Sequence, residues 1–136
     1  MLYLELCGIW DYTVFGIMRY LEDKMTVRDI MRILDAEVYC CEPGQEKDLC
    51  LAFGSDLMSD VLACVEEQQV LLSGLLNPQV IRTAEMMDML CVVFVRDKKP
   101  TDEILDIARE MGICVLATKH TMFTACGLLY QNGMKG

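Results

Sequence analysis

The sequence predicts a single α/β domain built on a mainly parallel sheet of about five strands with helices packed on it. Three observations carry that expectation. From Phe53 onward, short apolar segments alternate with amphipathic ones at a spacing of about 20 residues, the length of a strand plus its crossover helix. Leu90-Cys91-Val92-Val93-Phe94-Val95 is apolar without interruption, as expected of a strand covered on both faces. With 136 residues, 54% hydrophobic and 24% charged, the chain can fill one core and is too short for two ordinary ones.

Residues 1–24 stand apart from this pattern. They are aromatic and apolar, yet Glu5, Asp11 and Arg19 interrupt them before the roughly 18 apolar residues that a membrane span needs. Glu5 and the lack of a basic n-region also tell against a signal peptide. Leu21-Glu22-Asp23-Lys24 can be encoded by a purine-rich GGAGGA a few bases upstream of the ATG of Met25. One expectation is therefore a bacterial start at Met25, and the other is a peripheral helix packed on the domain.

From Met25 the elements follow in order, and residues 25–136 form the expected domain. Thr26 is a helix N-cap with Asp29 three residues on, an imperfect capping box, and Val27, Ile30, Met31, Ile33 and Leu34 make an apolar helix face. A strand follows at Glu37 to Cys41, Glu42-Pro43-Gly44-Gln45 breaks regular structure, and Leu49 to Phe53 is the next strand. Gly54-Ser55-Asp56 turns the chain into a helix reaching about Glu66, with Leu57, Val61, Leu62 and Val65 as its buried stripe. Val70 to Leu72 is a strand that stops at Ser73-Gly74, after which Asn77 caps a helix and Pro78 takes its first position, where a missing N–H costs nothing. That helix runs to about Asp88 and leads into the strand at Leu90 to Val95. Pro100-Thr101 opens a helix carrying Ile104, Leu105, Ile107, Ala108 and Met111, which Gly112 stops. Ile113 to Ala117 is the last strand, and Thr121 caps a final helix with Met122, Ala125, Cys126, Leu128 and Leu129, ending near Asn132-Gly133. Strand order is not encoded in this pattern.

In parallel βα units all strand C-termini lie on one edge, where open α/β sheets bind ligands. The residues brought there are Ser55 and Asp56, then Ser73, Gly74 and Asn77, then Arg96, Asp97, Lys98 and Lys99, then Thr118, Lys119, His120 and Thr121. Helix N-termini present free N–H groups to the same edge, which favours an anion. With Arg96 and Lys119 beside them, the ligand-binding candidates are Ser55, Asp56, Ser73, Gly74, Asn77, Arg96, Thr118, Lys119 and His120, for a phosphate-bearing or carboxylate ligand. Caps and solvated turns have the same composition in proteins that bind nothing.

A net charge of −9 argues against a nucleic-acid surface or an anionic membrane, because phosphates would be repelled. Eight cysteines, at 7, 40, 41, 50, 64, 91, 114 and 126, include no CxxC or CxxH pair, and His120 is the only histidine, so no metal site is expected. Cys50, Cys91 and Cys114 fall near strand starts, where a thiol packs as a small hydrophobe. Unpaired thiols of this kind suit a reducing cytoplasm.

The chain resembles the DRTGG domain family, which is related in fold to the N-terminal domain of HPr kinase/phosphorylase, from Met25 to about Gly133. The carriers are Met25-Thr26-Val27-Arg28-Asp29-Ile30, Gly54-Ser55-Asp56-Leu57-Met58, Leu72-Ser73-Gly74 with Asn77-Pro78-Gln79-Val80-Ile81-Arg82-Thr83-Ala84-Glu85, Ile107 through Ile113, and Thr118-Lys119-His120-Thr121-Met122-Phe123. The resemblance implies a non-catalytic α/β regulatory module, often beside CBS pairs or fused to phosphotransacetylases and pyrophosphatases, and apt to dimerise. The aligned turn Ser73-Gly74-Leu75-Leu76-Asn77-Pro78 keeps one Gly and lacks the acidic-basic pair of the family's Gly-rich turn. Ser73, Gly74 and Asn77 are carried over as candidate contacts with no role in chemistry.

Three roles follow. The first is a regulatory or sensing module for a small anionic ligand, with no cofactor, no nucleic acid and no membrane, as a homodimer or beside a partner enzyme. The second is a dimeric interaction subunit using Met86, Met87 and Met89 as an adaptable apolar surface. The third is an enzyme with His120 as acid or base beside Cys126 or Asp97. No GxSxG elbow, Walker A loop or GxGxxG fingerprint supports the third, and the expectation is a protein that is not an enzyme.

Overall fold

A computed structural model of the chain describes residues 25–41 and 48–136. The expectations for residues 1–24, for Glu42-Pro43-Gly44-Gln45 and for Cys7 lie outside the described residues. Within them the order is α1 (Val27–Leu34), β1 (Glu37–Cys40), β2 (Ala52–Gly54), α2 (Met58–Cys64), β3 (Val70–Ser73), α3 (Pro78–Met86), β4 (Cys91–Phe94), α4 (Asp102–Met111), β5 (Cys114–Ala117) and α5 (Met122–Gln131). This is the expected α/β domain. Its five strands lie in the order β1-β5-β4-β3-β2, with β2 to β5 parallel and β1 antiparallel at one edge.

The element starts follow from local chemistry. The capping box at Thr26 forms in full: its hydroxyl accepts from the Asp29 amide, while the Asp29 carboxylate accepts from the Thr26 amide at 3.0 Å. Asn77, Thr101 and Thr121 each accept an amide of the first turn of α3, α4 and α5, and Gly112 ends α4 at φ 71° in the left-handed region. The three central strands β3, β4 and β5 are buried along their whole length. Their side chains alternate between two apolar layers. Leu71, Val92, Phe94 and Val115 meet α2, α3 and α4, whereas Val70, Leu72, Val93 and Leu116 meet α1 and α5. Helices on both faces explain why these strands read as unbroken apolar runs.

Three expectations need correction. The segment Leu49 to Phe53 is not a continuous strand: Leu49 and Leu51 make isolated bridges to Met25 and Lys135, and β2 begins at Ala52. The extra bridges arise because Met25 and the C-terminal Lys135 reach the outer strand and take its backbone groups. Leu57 and Leu62 are exposed, not buried, because α2 turns only Met58 and Val61 inward and ends at Cys64. Finally, Cys114 is not a lone packed thiol, since it is joined to Cys41 as a disulfide. The antiparallel β1–β5 ladder brings the two sulfurs together across 73 residues, which no spacing rule reveals. The thiol of Cys91 is fully buried, and burial pushes its pKa up to about 12, so it is chemically quiet.

Candidate functional site

The register sets the site. Gly54 lies opposite Leu72, Ser73 opposite Phe94, and Phe94 opposite Ala117, so the parallel strands β2 to β5 finish level with one another. Asp56, Ser73-Gly74, Arg96 and Thr118 to His120 therefore stand along one edge, as the convergence of βα units requires.

Four of the nine candidates form one bonded group. The Asp56 carboxylate accepts the Gly74 amide at 2.6 Å and the Ser73 hydroxyl at 3.4 Å on one oxygen, and the Arg96 guanidinium at 2.8 Å on the other. The group ties the ends of β2, β3 and β4 together through side chains. Partial burial pushes the Asp56 carboxyl up, but the Gly74 amide, Arg96 and Ser73 together outweigh it and hold it below the usual carboxylate range. A Cβ at Gly74 would fall on the Arg96 guanidinium, so glycine is what lets the cation lie over this turn.

Arg96 is aimed there by an unusual backbone. Arg96 and Asp97 both adopt left-handed conformations, at φ 60° and 58°. Such residues cost roughly 1–2 kcal/mol each when they carry a side chain. Two cross-strand bonds hold them: the Arg96 amide donates to the His120 carbonyl at 2.8 Å, and the Asp97 amide to the Thr118 carbonyl at 3.0 Å. Strain of this kind concentrates at working sites.

The remaining candidates are placed on the same edge but committed elsewhere. Ser55 bonds the Leu57 amide and carbonyl, and Asn77 caps α3 through the Gln79 amide. Thr118 is buried, and its hydroxyl donates to the Leu34 carbonyl at 2.7 Å while accepting the His120 amide at 3.3 Å. Lys119 is exposed and borders a small hollow with Asp35, Glu37, Tyr39, Asp97 and Lys99. His120 contributes its backbone to the Arg96 turn. What sequence reasoning missed is the rim. Leu57, Leu75 and Leu76 are exposed apolar residues just after strand ends, and Phe123, in the first turn of α5, is 90% exposed. Their only signal was an apolar residue in an otherwise polar turn.

The turn after β3 carries no Asp–Arg pair of its own, and the fold supplies one over Gly74 from the ends of β2 and β4. Chemically the site offers a backbone N–H, a hydroxyl and a guanidinium converging on one anionic group. Among the described residues no cluster of His, Cys, Asp and Glu is arranged to hold a metal ion, and no helix is long and apolar enough to cross a membrane.

Comparisons with known proteins agree with this architecture. Residues 29–131 match the DRTGG domain family. Among solved structures, the CBS and DRTGG domains of the regulatory region of Clostridium perfringens pyrophosphatase, complexed with the activator diadenosine tetraphosphate, superpose with a TM-score of 0.68 at 16% identity. The match covers 82% of this chain and 49% of that one, so the likeness is one of fold and extends over about half of the relative. No curated protein sequence matches the chain.

Proposed function

This chain belongs to the DRTGG domain family, and on that premise we propose that it is a non-catalytic regulatory module binding a small anionic ligand, a nucleotide or a phosphometabolite, at the C-terminal edge of its sheet. The observation that carries the reading is the set of three donors, the Gly74 amide, the Ser73 hydroxyl and Arg96, already converging on one carboxylate at that edge. Groups that hold a carboxylate in this way hold a phosphate oxygen by the same bonds. The pyrophosphatase regulatory region that shares this fold takes a nucleotide activator, which supports the same ligand class. Lys119 supplies a second cation beside the strand ends, and Phe123 and Leu57 supply apolar surface for a base or carbon skeleton. A cytoplasmic homodimer in a bacterium, acting beside a partner enzyme, is the setting that the family suggests.

The test is a thermal-shift screen of the full chain against ATP, diadenosine tetraphosphate, inorganic pyrophosphate and simple carboxylates. A ligand at 100 times its dissociation constant adds about 2.7 kcal/mol of stability, readily seen in a domain of this size. The expected result is a phosphate-bearing hit that is lost in Arg96→Gln and weakened in Lys119→Gln. A flat screen with a dimer in solution would instead support an interaction subunit; of the Met86, Met87 and Met89 surface expected for it, Met86 is exposed, Met87 is half-buried and Met89 lies in the core, so that reading turns to the exposed Leu57, Leu62, Leu75, Leu76 and Phe123.

A further inference from the structure

Resting on the ligand-binding reading above, we propose that Asp56 is a built-in competitor: its carboxylate fills the anion site of Ser73, Gly74 and Arg96, and the ligand binds by displacing it. Each member of the donor set makes a bond to this one side chain. Gly74 and Ser73 are both spent on Oδ1, and the guanidinium on Oδ2. The guanidinium is held close over the turn, lying where a Cβ of residue 74 would be. A phosphate cannot join Asp56 there without placing two anions on one cation, so one of them must leave.

The geometry also makes exit feasible. The side chains of Asp56 and Arg96 are 45% and 41% exposed, so the ion pair can be approached from solvent and exchanged there without opening the core. Asp56 sits between β2 and α2, and the N-cap of α2, Leu57, makes no side-chain cap bond, so no side-chain cap of the helix depends on Asp56. An exposed ion pair of this type contributes little to stability, because solvent screens it and both side chains lose freedom to hold it. The incoming group must outcompete a carboxylate already in place, which selects against monoanions and for di- or polyphosphates. A resting module that occupies its own site responds only when a highly charged ligand is abundant.

The test compares the full-length wild type with Asp56→Asn and Arg96→Gln for binding of inorganic pyrophosphate and of ATP by calorimetry, at one fixed salt concentration. Asparagine keeps an oxygen for the Gly74 amide and removes the competing charge. The expected result is binding on the order of tenfold tighter in Asp56→Asn, and no detectable binding in Arg96→Gln. Equal or weaker binding by a folded Asp56→Asn protein, while the wild type binds, would overturn the competitor role and leave the ligand site standing. No binding of either probe by wild type and Asp56→Asn alike would overturn the ligand site itself. A second measurement needs no variant: the side-chain carboxyl carbon signal of Asp56 must shift when pyrophosphate binds the wild type. A bound ligand that leaves that signal unmoved overturns the displacement.

Discussion

At the edge where the parallel strands end, side chains add to the backbone ladder: Asp56 accepts from Ser73, Gly74 and Arg96, and Thr118 ties β5 to α1 through the Leu34 carbonyl. At the edge where they begin, the joints are mostly backbone. The Leu90 and Cys91 amides donate to the Gln69 carbonyl, the Cys114 amide donates to the Leu90 carbonyl, and Gly112 turns α4 into β5. The side-chain exceptions there are Gln69, which takes the Cys50 and Leu51 amides on its amide oxygen, and the Cys41–Cys114 disulfide. A hollow of about 350 Å³ lined by Tyr39, Cys41, Ala108, Arg109 and Ile113 also opens at this edge. The same sheet thus has one edge closed for stability and one held by exchangeable polar groups. Right-handed crossovers produce the asymmetry, because they deliver helix starts and polar turns to one edge and helix ends to the other.

The largest effect that tests this contrast is expected at Thr118, a buried polar anchor of the polar edge. Thr118→Val removes the donor to the Leu34 carbonyl and the acceptor of the His120 amide, and is expected to cost about 2 kcal/mol by denaturant unfolding. It should also loosen the Arg96 turn, since that turn hangs on the Thr118 and His120 carbonyls, and so weaken anion binding. A variant that loses stability and binds unchanged would separate the anchor from the site. At the opposite edge, Gly112→Ala forces a side chain into a left-handed cap at φ 71° and is expected to cost about 1 kcal/mol with anion affinity untouched. Weakened binding in that variant would show that the two edges are coupled.

How much of this contrast was legible depended on whether a feature was local. Caps at Thr26, Asn77, Thr101 and Thr121 and the stop at Gly112 each depend on a few adjacent residues, and each is where the sequence puts it. Convergence of Asp56, Ser73, Gly74 and Arg96 was legible as well, because parallel βα order alone places strand ends together. Which of the candidates bond to one another was not. It depends on strand order, which puts β3 between β2 and β4, and on the left-handed backbone of Arg96 and Asp97, neither of them glycine or asparagine. Leu57 has the spacing of a buried helix position, but it is the extended N-cap residue just before α2 and faces solvent. The partner of Cys114 is Cys41, the residue just past the antiparallel edge strand β1 and 73 positions away, so no local pattern reports the pair.

Acid offers a smaller test, with one carboxylate at each edge. The Thr26 amide, chiefly, holds Asp29 below the usual carboxylate range, and the Gly74 amide, Arg96 and Ser73 do so for Asp56 against partial burial. Groups whose folded values are depressed contribute stability that is present above the unfolded value, near pH 3.9, and is lost as pH falls through the folded values. Stability should therefore be level from pH 7 to about pH 5 and decline below about pH 4. The edges should differ in their salt response. Asp56 depends on a neighbouring guanidinium, so its carboxyl signal should titrate higher in strong salt, whereas the local hydrogen bond at Asp29 should shift less. Equal shifts would mean that Arg96 contributes no more to Asp56 than the α1 arginines do to Asp29.

The smallest effect, and the one that isolates the strained turn, is expected at Asp97. Its φ of 58° is a conformation that glycine adopts freely and a side chain resists, while its amide bond to the Thr118 carbonyl needs only the backbone. Asp97→Gly removes the steric cost and adds unfolded-state entropy, and these terms nearly cancel, with aspartate already among the more tolerant residues there. The expected outcome is a change within about 0.5 kcal/mol, in the stabilising direction, with Arg96 still held over Gly74 and pyrophosphate binding retained or slightly improved by the loss of a nearby negative charge. A loss above about 1 kcal/mol, measured by chemical denaturation, would mean that the Asp97 side chain braces the turn. The polar edge would then owe its shape to side chains down to its backbone, and the contrast with the opposite edge would be sharper than the cross-strand bonds alone make it.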